Sequence, residues 1–302
     1  MNTKLRLGLV NARGLNNVEH WYKLEYQELQ KRGYEVEPFW FRGKPLTGRD
    51  TTNLDFLICH FTQIAQIYMR TGLPFCVLPS ANDVFPDNGN RLKMVSRNRN
   101  CKFITYQSHY HLKKYKEWDI EGNFVYVPMP VRVDTFKRNR KYNPNEKYLA
   151  GGRLIPKKGI HQLKSVQDNL RIFGDGPLRR DLEIELPRAE FLGELDAKGL
   201  KNVMERSSVY LFPAVETPDG DHEGISNTIK EAMLMQLPVI CSPIAGNVEF
   251  ENVSHLNDWS NLPKVLEDFK FIPNYKGEKE IRNLYNPKHC VDLLLKGIEQ
   301  YG

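Results

Sequence analysis

Two glutamates eight positions apart, Glu223 and Glu231, frame the stretch Glu223-Gly224-Ile225-Ser226-Asn227-Thr228-Ile229-Lys230-Glu231. Ser226 and Asn227 are helix-capping types, so a helix is expected from Ser226 to Met235. Glu223 then sits in the loop above its N-terminus, and Glu231 lies about a turn and a half inside. Carboxylates at two depths accept hydroxyl hydrogen bonds from two parts of a polyhydroxylated molecule, and the helix N-terminus between them favours phosphate oxygens. Spacing alone also allows a bland alternative, a capping carboxylate and a solvated helix glutamate, as surface charges commonly are.

The elements that must position this stretch alternate between strand and helix. Strands are expected at 5–10, 34–41, 55–60, 75–78, 102–107 and 124–127, with helices at 18–32, 63–70, 90–98 and 108–118 between them. After Pro128-Met129-Pro130 and the charged run 137–146, the rhythm restarts. Strands are expected at 148–150, 170–173, 189–192, 209–212 and 239–242, helices at 160–164, 178–185, 197–206 and 226–235, and a last helix at 287–300; 249–286 reads as loop plus short helices. Such alternation is the signature of parallel α/β sheets, whose ligands lie outside the carboxyl ends of the strands. The reading is therefore two Rossmann-like doubly wound domains with a site in the cleft between them.

Composition narrows the class. The chain has 302 residues, 40% of them hydrophobic, enough for two cores. Its longest apolar runs are strand-sized, far short of the roughly 20 residues that span a bilayer, and its N-terminus reads as a first strand, so a cytoplasmic location is expected. Five scattered cysteines without a Cys-x-x-Cys spacing read as buried thiols, neither a disulfide framework nor a zinc site. The net charge of +6 suits an anionic ligand, a nucleotide, a lipid surface or nucleic acid without choosing among them.

Several ordered motifs carry a resemblance. Gly152-Arg153-Leu154-Ile155-Pro156-Lys157-Lys158-Gly159, Phe173-Gly174-Asp175-Gly176-Pro177-Leu178, Phe191-Leu192-Gly193, Glu223 to Met233, Leu237-Pro238-Val239-Ile240, and Gly246 with Glu249 stand in the order of retaining glycosyltransferases of family 4. The chain resembles these GT-B enzymes, closely over 148–250 and more loosely before. The resemblance implies an acceptor-side domain over 1–136, a linker over 137–147 and a nucleotide-sugar-binding domain over 148–285. A C-terminal helix over 286–302 is expected to pack back toward the first domain.

Carried over by position, Arg153 and Lys158 contact the donor diphosphate and stabilise the charge that develops as the glycosidic bond breaks. Glu231 holds the ribose and Glu223 the donor sugar. Ile225, Ser226, Asn227 and Thr228 direct backbone amides at phosphate and sugar, and Gly14, Gly174 and Gly176 belong to the donor loops. The donor is a UDP- or GDP-sugar, UDP ahead of GDP, with no further cofactor and no metal. Asp219-Gly220-Asp221 spells the Asp-x-Asp of metal-dependent transferases, but its loop position reads as an acidic turn. Where many relatives carry a histidine after the strand 75–78, this chain has Ser80, which leaves the acceptor side to Ser80, Asn82, Asp83, His60 and His109 as candidates.

The acceptor itself stays open: a glycan, a small molecule, a membrane-surface glycolipid or DNA. Arg91, Lys93, Arg97, Arg99, Lys102, Lys113, Lys114 and Lys116, with Tyr106, Tyr110 and Tyr115 among them, form a basic stretch that could meet phosphates or simply face solvent. Three rivals to a glycan or lipid transferase are a compact DNA glycosyltransferase acting on hydroxymethylated bases, a non-catalytic nucleotide-sugar-binding subunit, and a phosphorylase of the same fold. No obligate protein partner is indicated.

Overall fold

The computed structural model describes residues 4–11, 20–40, 51, 53–218 and 220–302, and the chain falls into two units, Met1–Arg132 with Leu284–Gly302, and Val133–Asn283. In unit 1, β1 (Arg6–Asn11) is followed by α1 (His20–Lys31), β2 (Glu35–Trp40), β3 (Phe56–His60), α2 (Thr62–Tyr68), β4 (Phe75–Leu78), α3 (Ala81–Val84), α4 (Asn90–Ser96), β5 (Cys101–Tyr106), α5 (His109–Glu117) and β6 (Phe124–Tyr126). The strands are short apolar runs, as a sheet covered on both faces requires; all of β3 and all but the first residue of β1 are buried. They pair in parallel in the order β2-β1-β3-β4-β5-β6. The direction of winding reverses between β1 and β3, and the crevice at the carboxyl ends of those two strands is where such sheets hold ligands.

Unit 2 contains β7 (Tyr148–Gly151), β8 (Leu170–Phe173), α6 (Arg179–Glu185), β9 (Glu190–Gly193), α7 (Ala197–Glu205), β10 (Tyr210–Phe212), α8 (Asn227–Leu234), β11 (Val239–Cys241), β12 (Ser254–His255), α9 (Leu262–Asp268) and α10 (Tyr275–Leu284). Its sheet is also parallel, in the order β12-β11-β10-β7-β8-β9, the doubly wound Rossmann order, with the reversal between β7 and β10. The expected α/β class, with two doubly wound Rossmann-like units, is what the structure shows.

Two elements differ from expectation for physical reasons. The segment expected as a helix over 160–164 is a 3-10 helix over Ile160–Asn169. Its buried Ile160, Leu163 and Val166 recur every third residue, which is the period of a 3-10 helix. The strand β12 carries no apolar signal because both of its residues are exposed on the sheet edge.

The charged segment 137–147 lies on unit 2. Arg138 donates to the carbonyls of Met235 (2.7 Å), Met204 (3.1 Å) and Glu205 (3.1 Å), and so satisfies carbonyls at the C-terminal ends of α8 and α7. The C-terminal helix α11 (Pro287–Tyr301) packs in unit 1 against α1, β5 and β6. Asn286 caps it by accepting from the His289 amide at 2.9 Å, and Arg32, in the turn just past α1, pairs with Asp292 at 2.5 Å.

Two outcomes follow. Gly159 sits at φ +63° with a side-chain position only 1.9 Å from the Pro213 carbonyl oxygen. Gly159→Ala should therefore lower the stability of unit 2 by about 2–4 kcal/mol, measured by denaturant unfolding. The hydrogen bond from Arg32 holds the Asp292 carboxyl below its ordinary value. A depressed carboxylate stabilises above its unfolded pKa and loses that contribution as pH falls through the folded value. The protection factors of α11 amides should fall on acidification below about pH 4, and Asp292→Asn should remove that acid limb.

Candidate functional site

The carboxyl ends of β7 and β10 carry the two loops of greatest chemical interest. After Gly151, the loop Gly152–Ile155 leads into a 3-10 turn, Pro156–Lys158, with proline at its start and Gly159 in the left-handed region at its end. That tight turn buries both lysines, Lys157 to 4% and Lys158 to 9% exposure. After Phe212, Asp221 and Glu223 come to meet them. Lys158 Nζ lies 3.0 Å from Glu223 Oε2, and Lys157 Nζ lies 3.0 Å from Asp221 Oδ1 and 4.0 Å from Glu223 Oε1. Lys157 also donates to the His222 carbonyl at 3.4 Å, and Lys158 Nζ stands 4.9 Å above the Phe212 ring. Four charges thus sit at the winding reversal of unit 2, the place where the topology predicts a ligand.

Arg153, in the same loop, is exposed and its side chain has no hydrogen-bond or ion-pair partner among the described residues. It is available to an incoming anion. Gly174 and Gly176 hold the loops together: a side chain on Gly174 would stand 1.9 Å from the Gly152 carbonyl oxygen, and one on Gly176 would stand 2.5 Å from that of Leu154. Three backbone bonds use this closeness: Gly152 N to Phe173 O (3.0 Å), Leu154 N to Asp175 O (2.8 Å) and Gly174 N to Gly193 O (2.6 Å). The glycines therefore set where Arg153 and the lysine turn stand.

On the other side, Ser226 caps α8 by accepting from the Ile229 amide at 3.4 Å, and its own amide donates to Asn247 Oδ1 at 3.3 Å. Gly246 N donates to Gly224 O at 2.9 Å, so the turn Ala245–Glu249 supports the Glu223 loop from behind. Ile225 is buried, Asn227 and Thr228 begin α8, and the buried Tyr210 phenol donates to the Gly151 carbonyl at 3.3 Å. Burial pushes that phenol well above its ordinary value, and the Glu223 and Glu231 carboxylates push the same way. Both glutamates thus act on one buried ring. Glu231 is itself 4% exposed, inside α8, which is not the solvated position that spacing alone allows.

The remaining candidates lie in unit 1 or beyond the described residues. Gly14, Asp219 and the side chain of Asn82 lie outside what is described. His60 and Ser80 line one cavity at the carboxyl end of the unit 1 sheet. Asp83 points elsewhere: its carboxylate accepts from the Thr62 amide at 2.5 Å, at the start of α2, and burial raises its pKa against that bond. His109 is exposed at the start of α5, stacked with Tyr126 at 6.2 Å. The basic stretch of unit 1 is largely paired: Lys93 with Asp119 (2.9 Å), Lys114 with Glu117 (2.8 Å), Arg97 with Glu121 (3.8 Å) and Arg91 with Asp87 (4.0 Å). The five cysteines are free thiols, and burial pushes those of Cys101 and Cys241 up to about 12.

Lys157 escaped the sequence reading. Its signal was present in Pro156-Lys157-Lys158-Gly159, since a proline start and glycine stop three residues apart describe a turn short enough to bury both lysines. Asp221, read as part of an acidic turn, is the anion that neutralises Lys157. If the cluster is coupled as its distances indicate, a double-mutant cycle of Lys158→Met and Glu223→Gln should give an interaction energy of about 1–3 kcal/mol in the unfolding of unit 2. Independent, additive effects would contradict that coupling.

Comparison with known proteins places this geometry. The family described as glycosyl transferases group 1 matches residues 151–258, which contain both loops and α8. A GDP-mannose-dependent alpha-mannosyltransferase of Mycolicibacterium smegmatis is 35% identical over 113 residues, 35% of this chain. The colanic acid biosynthesis glycosyltransferase WcaL of Salmonella typhimurium, assigned putatively, is 31% identical over 113 residues, 32% of this chain. Each match spans 28% of the length of the relative. Among solved structures, sucrose-phosphate synthase from Thermosynechococcus elongatus superposes with a TM-score of 0.76 at 14% identity, covering 98% of this chain and 99% of that one. Anabaena HepE in complex with UDP-glucose gives a TM-score of 0.75 at 11% identity, covering 98% of this chain and 100% of that one. The segment 151–258 is thus similar to the group 1 glycosyltransferases, and the chain that contains it has the GT-B fold.

Proposed function

We propose that this chain is a retaining glycosyltransferase that moves a sugar from a nucleoside diphosphate sugar to an acceptor hydroxyl, with the donor on unit 2 and the acceptor on unit 1. The observation that carries the reading is the Lys157–Lys158–Asp221–Glu223 cluster at the winding reversal of unit 2, inside the segment that matches the family. A diphosphate entering there meets Lys158, Arg153 and the first-turn amides of α8, three sources of positive potential. Glu223 is released from Lys158 as the phosphate takes its place, and turns to the hydroxyls of the donor sugar. Glu231 receives the ribose.

In the transfer, the bond from the anomeric carbon to the diphosphate oxygen breaks, and the acceptor oxygen bonds to the same face of that carbon. The acceptor proton passes to a phosphate oxygen, which leaves a glycoside and a nucleoside diphosphate. Arg153 and Lys158 contribute by holding the charge of the leaving group in a partly dry site. Side-chain cations meet that charge, and Asp221, the acid a metal would need, is held by Lys157. The reading is therefore metal-independent. The donor is a UDP- or GDP-sugar, both of which occur in the names of similar proteins.

A thermal-shift panel of nucleoside diphosphates and their sugars tests the donor site. UDP or GDP at a hundred times its dissociation constant should stabilise the binding state by about 2.7 kcal/mol. Lys158→Ala should lower transfer or donor hydrolysis by about 100- to 1,000-fold. Nucleotide binding without turnover of any donor would leave a nucleotide-sugar-binding subunit in place of an enzyme.

A further inference from the structure

The cavity at the winding reversal of unit 1, lined by Glu25 and His60 with Nε2 3.3 Å from Oε2, has about 20 Å³ of space, room for one water. Unit 2 carries a much larger feature, a groove of about 980 Å³ at the amino ends of β11 and β12, walled by the end of α9 and the start of α10. It lies at the opposite ends of the strands from the lysine–carboxylate cluster and shares no lining residue with it.

Ile272 and Tyr275 on its wall are each 63% exposed, and Val253, Val265 and Phe269 beside them are half-buried. Exposed apolar side chains that stand singly need no explanation, but these two flank Pro273 and continue into the groove. Asn274 pins the segment that carries them. Its amide donates to the Gln236 carbonyl (2.8 Å), its Nδ2 to the Asn252 carbonyl (2.8 Å), and its Oδ1 accepts from the Gly277 amide (2.9 Å). The exposure is thus built into the fold, and binding through Ile272 and Tyr275 orders little that is not ordered already.

The groove runs to an open sheet edge. β12 pairs only with β11, and the Leu256 amide donates to the Cys241 carbonyl at 2.9 Å. Successive residues of a strand turn their backbone groups to opposite sides, so His255 directs its amide and carbonyl away from the sheet, and that amide has no hydrogen-bond partner among the described residues. Such an edge is a template for another strand. Asp268, Lys270 and Lys276 line the groove, and none of them forms an ion pair among the described residues.

We propose that this face joins two copies of the chain about a two-fold axis, β12 against β12 in antiparallel pairing, with Ile272 and Tyr275 of each copy in the groove of the other. The charges and the length of the edge select a second copy as the occupant. Both signs line the groove, so the acid of one copy meets a lysine of the other, whereas an anionic membrane or a nucleic acid calls for lysines alone. A two-residue edge is too short to hold a lone peptide, but a two-fold contact makes every interaction twice. The association leaves the carboxyl ends of the unit 2 strands open, and it does not rest on the glycosyltransferase reading.

Sedimentation velocity of the full-length protein from about 1 to about 100 µM tests it, and the sedimenting mass should rise from one chain toward two across that range. Ile272→Asp, at a largely exposed position, should raise the dissociation constant at least about tenfold with an unchanged circular dichroism spectrum. Ser254→Cys should give a disulfide-linked dimer on oxidation that Ile184→Cys, 71% exposed on α6, does not. A chain that stays monomeric throughout would overturn the inference, as would a dimer that Ile272→Asp leaves intact or a Ser254→Cys chain that cross-links no faster than the Ile184→Cys control. Flotation of a monomeric chain with vesicles of phosphatidylcholine and phosphatidylglycerol, lost in Ile272→Asp, would overturn it too and give the face to a membrane surface.

Discussion

The pairing of Lys158 with Glu223 ties the loop after β7 to the loop after β10, and much of unit 2 is arranged to make it possible. Two lysines in succession are pushed into a nearly dry turn, which is unfavourable unless anions wait there. Asp221 and Glu223 supply them. The arrangement leaves the cluster neutral within itself, two ammonium groups against two carboxylates. Arg153 stands outside the cluster and adds reach to it.

Topology explains why these loops and no others meet. A parallel sheet brings every βα loop to its carboxyl edge, but only where the winding reverses do two neighbouring loops diverge and leave a crevice. In unit 2 the loops at the reversal are those of the lysine turn and of Asp221 and Glu223. In unit 1, β3 stands at the reversal, and its last residue is His60. The same geometric rule thus selects the charged cluster in one unit and the Glu25–His60 cavity in the other, without reference to any motif.

How much of this was legible in the chain depended on whether its cause was local. The strand over Leu170–Phe173 and the cap at Ser226 followed from apolar runs and capping chemistry, which act over a few residues. Glu223 and Glu231 were visible as types at a spacing, but the lysine that pairs with Glu223 and the burial of Glu231 inside α8 depend on tertiary packing, which spacing does not contain. Glu25 was invisible for the same reason. On α1 it reads as one more charged helix residue, and it lines a cavity because Trp21, the end of β3 and α11, whose residues follow it by more than 260 positions, close around it. The 3-10 segment after Gly159 was misread by type, since apolar residues at spacings of three fit the first turns of either helix.

A common economy links the two buried acid–base clusters. In unit 2 each lysine has a carboxylate within about 3 Å, so the site is complete as it stands and a ligand must compete with an internal anion. In unit 1 the Glu25–His60 pair is incomplete, with open acceptor and imidazole positions against an apolar wall. The two units thereby differ in the state of their buried charges, although their sheets obey one topology.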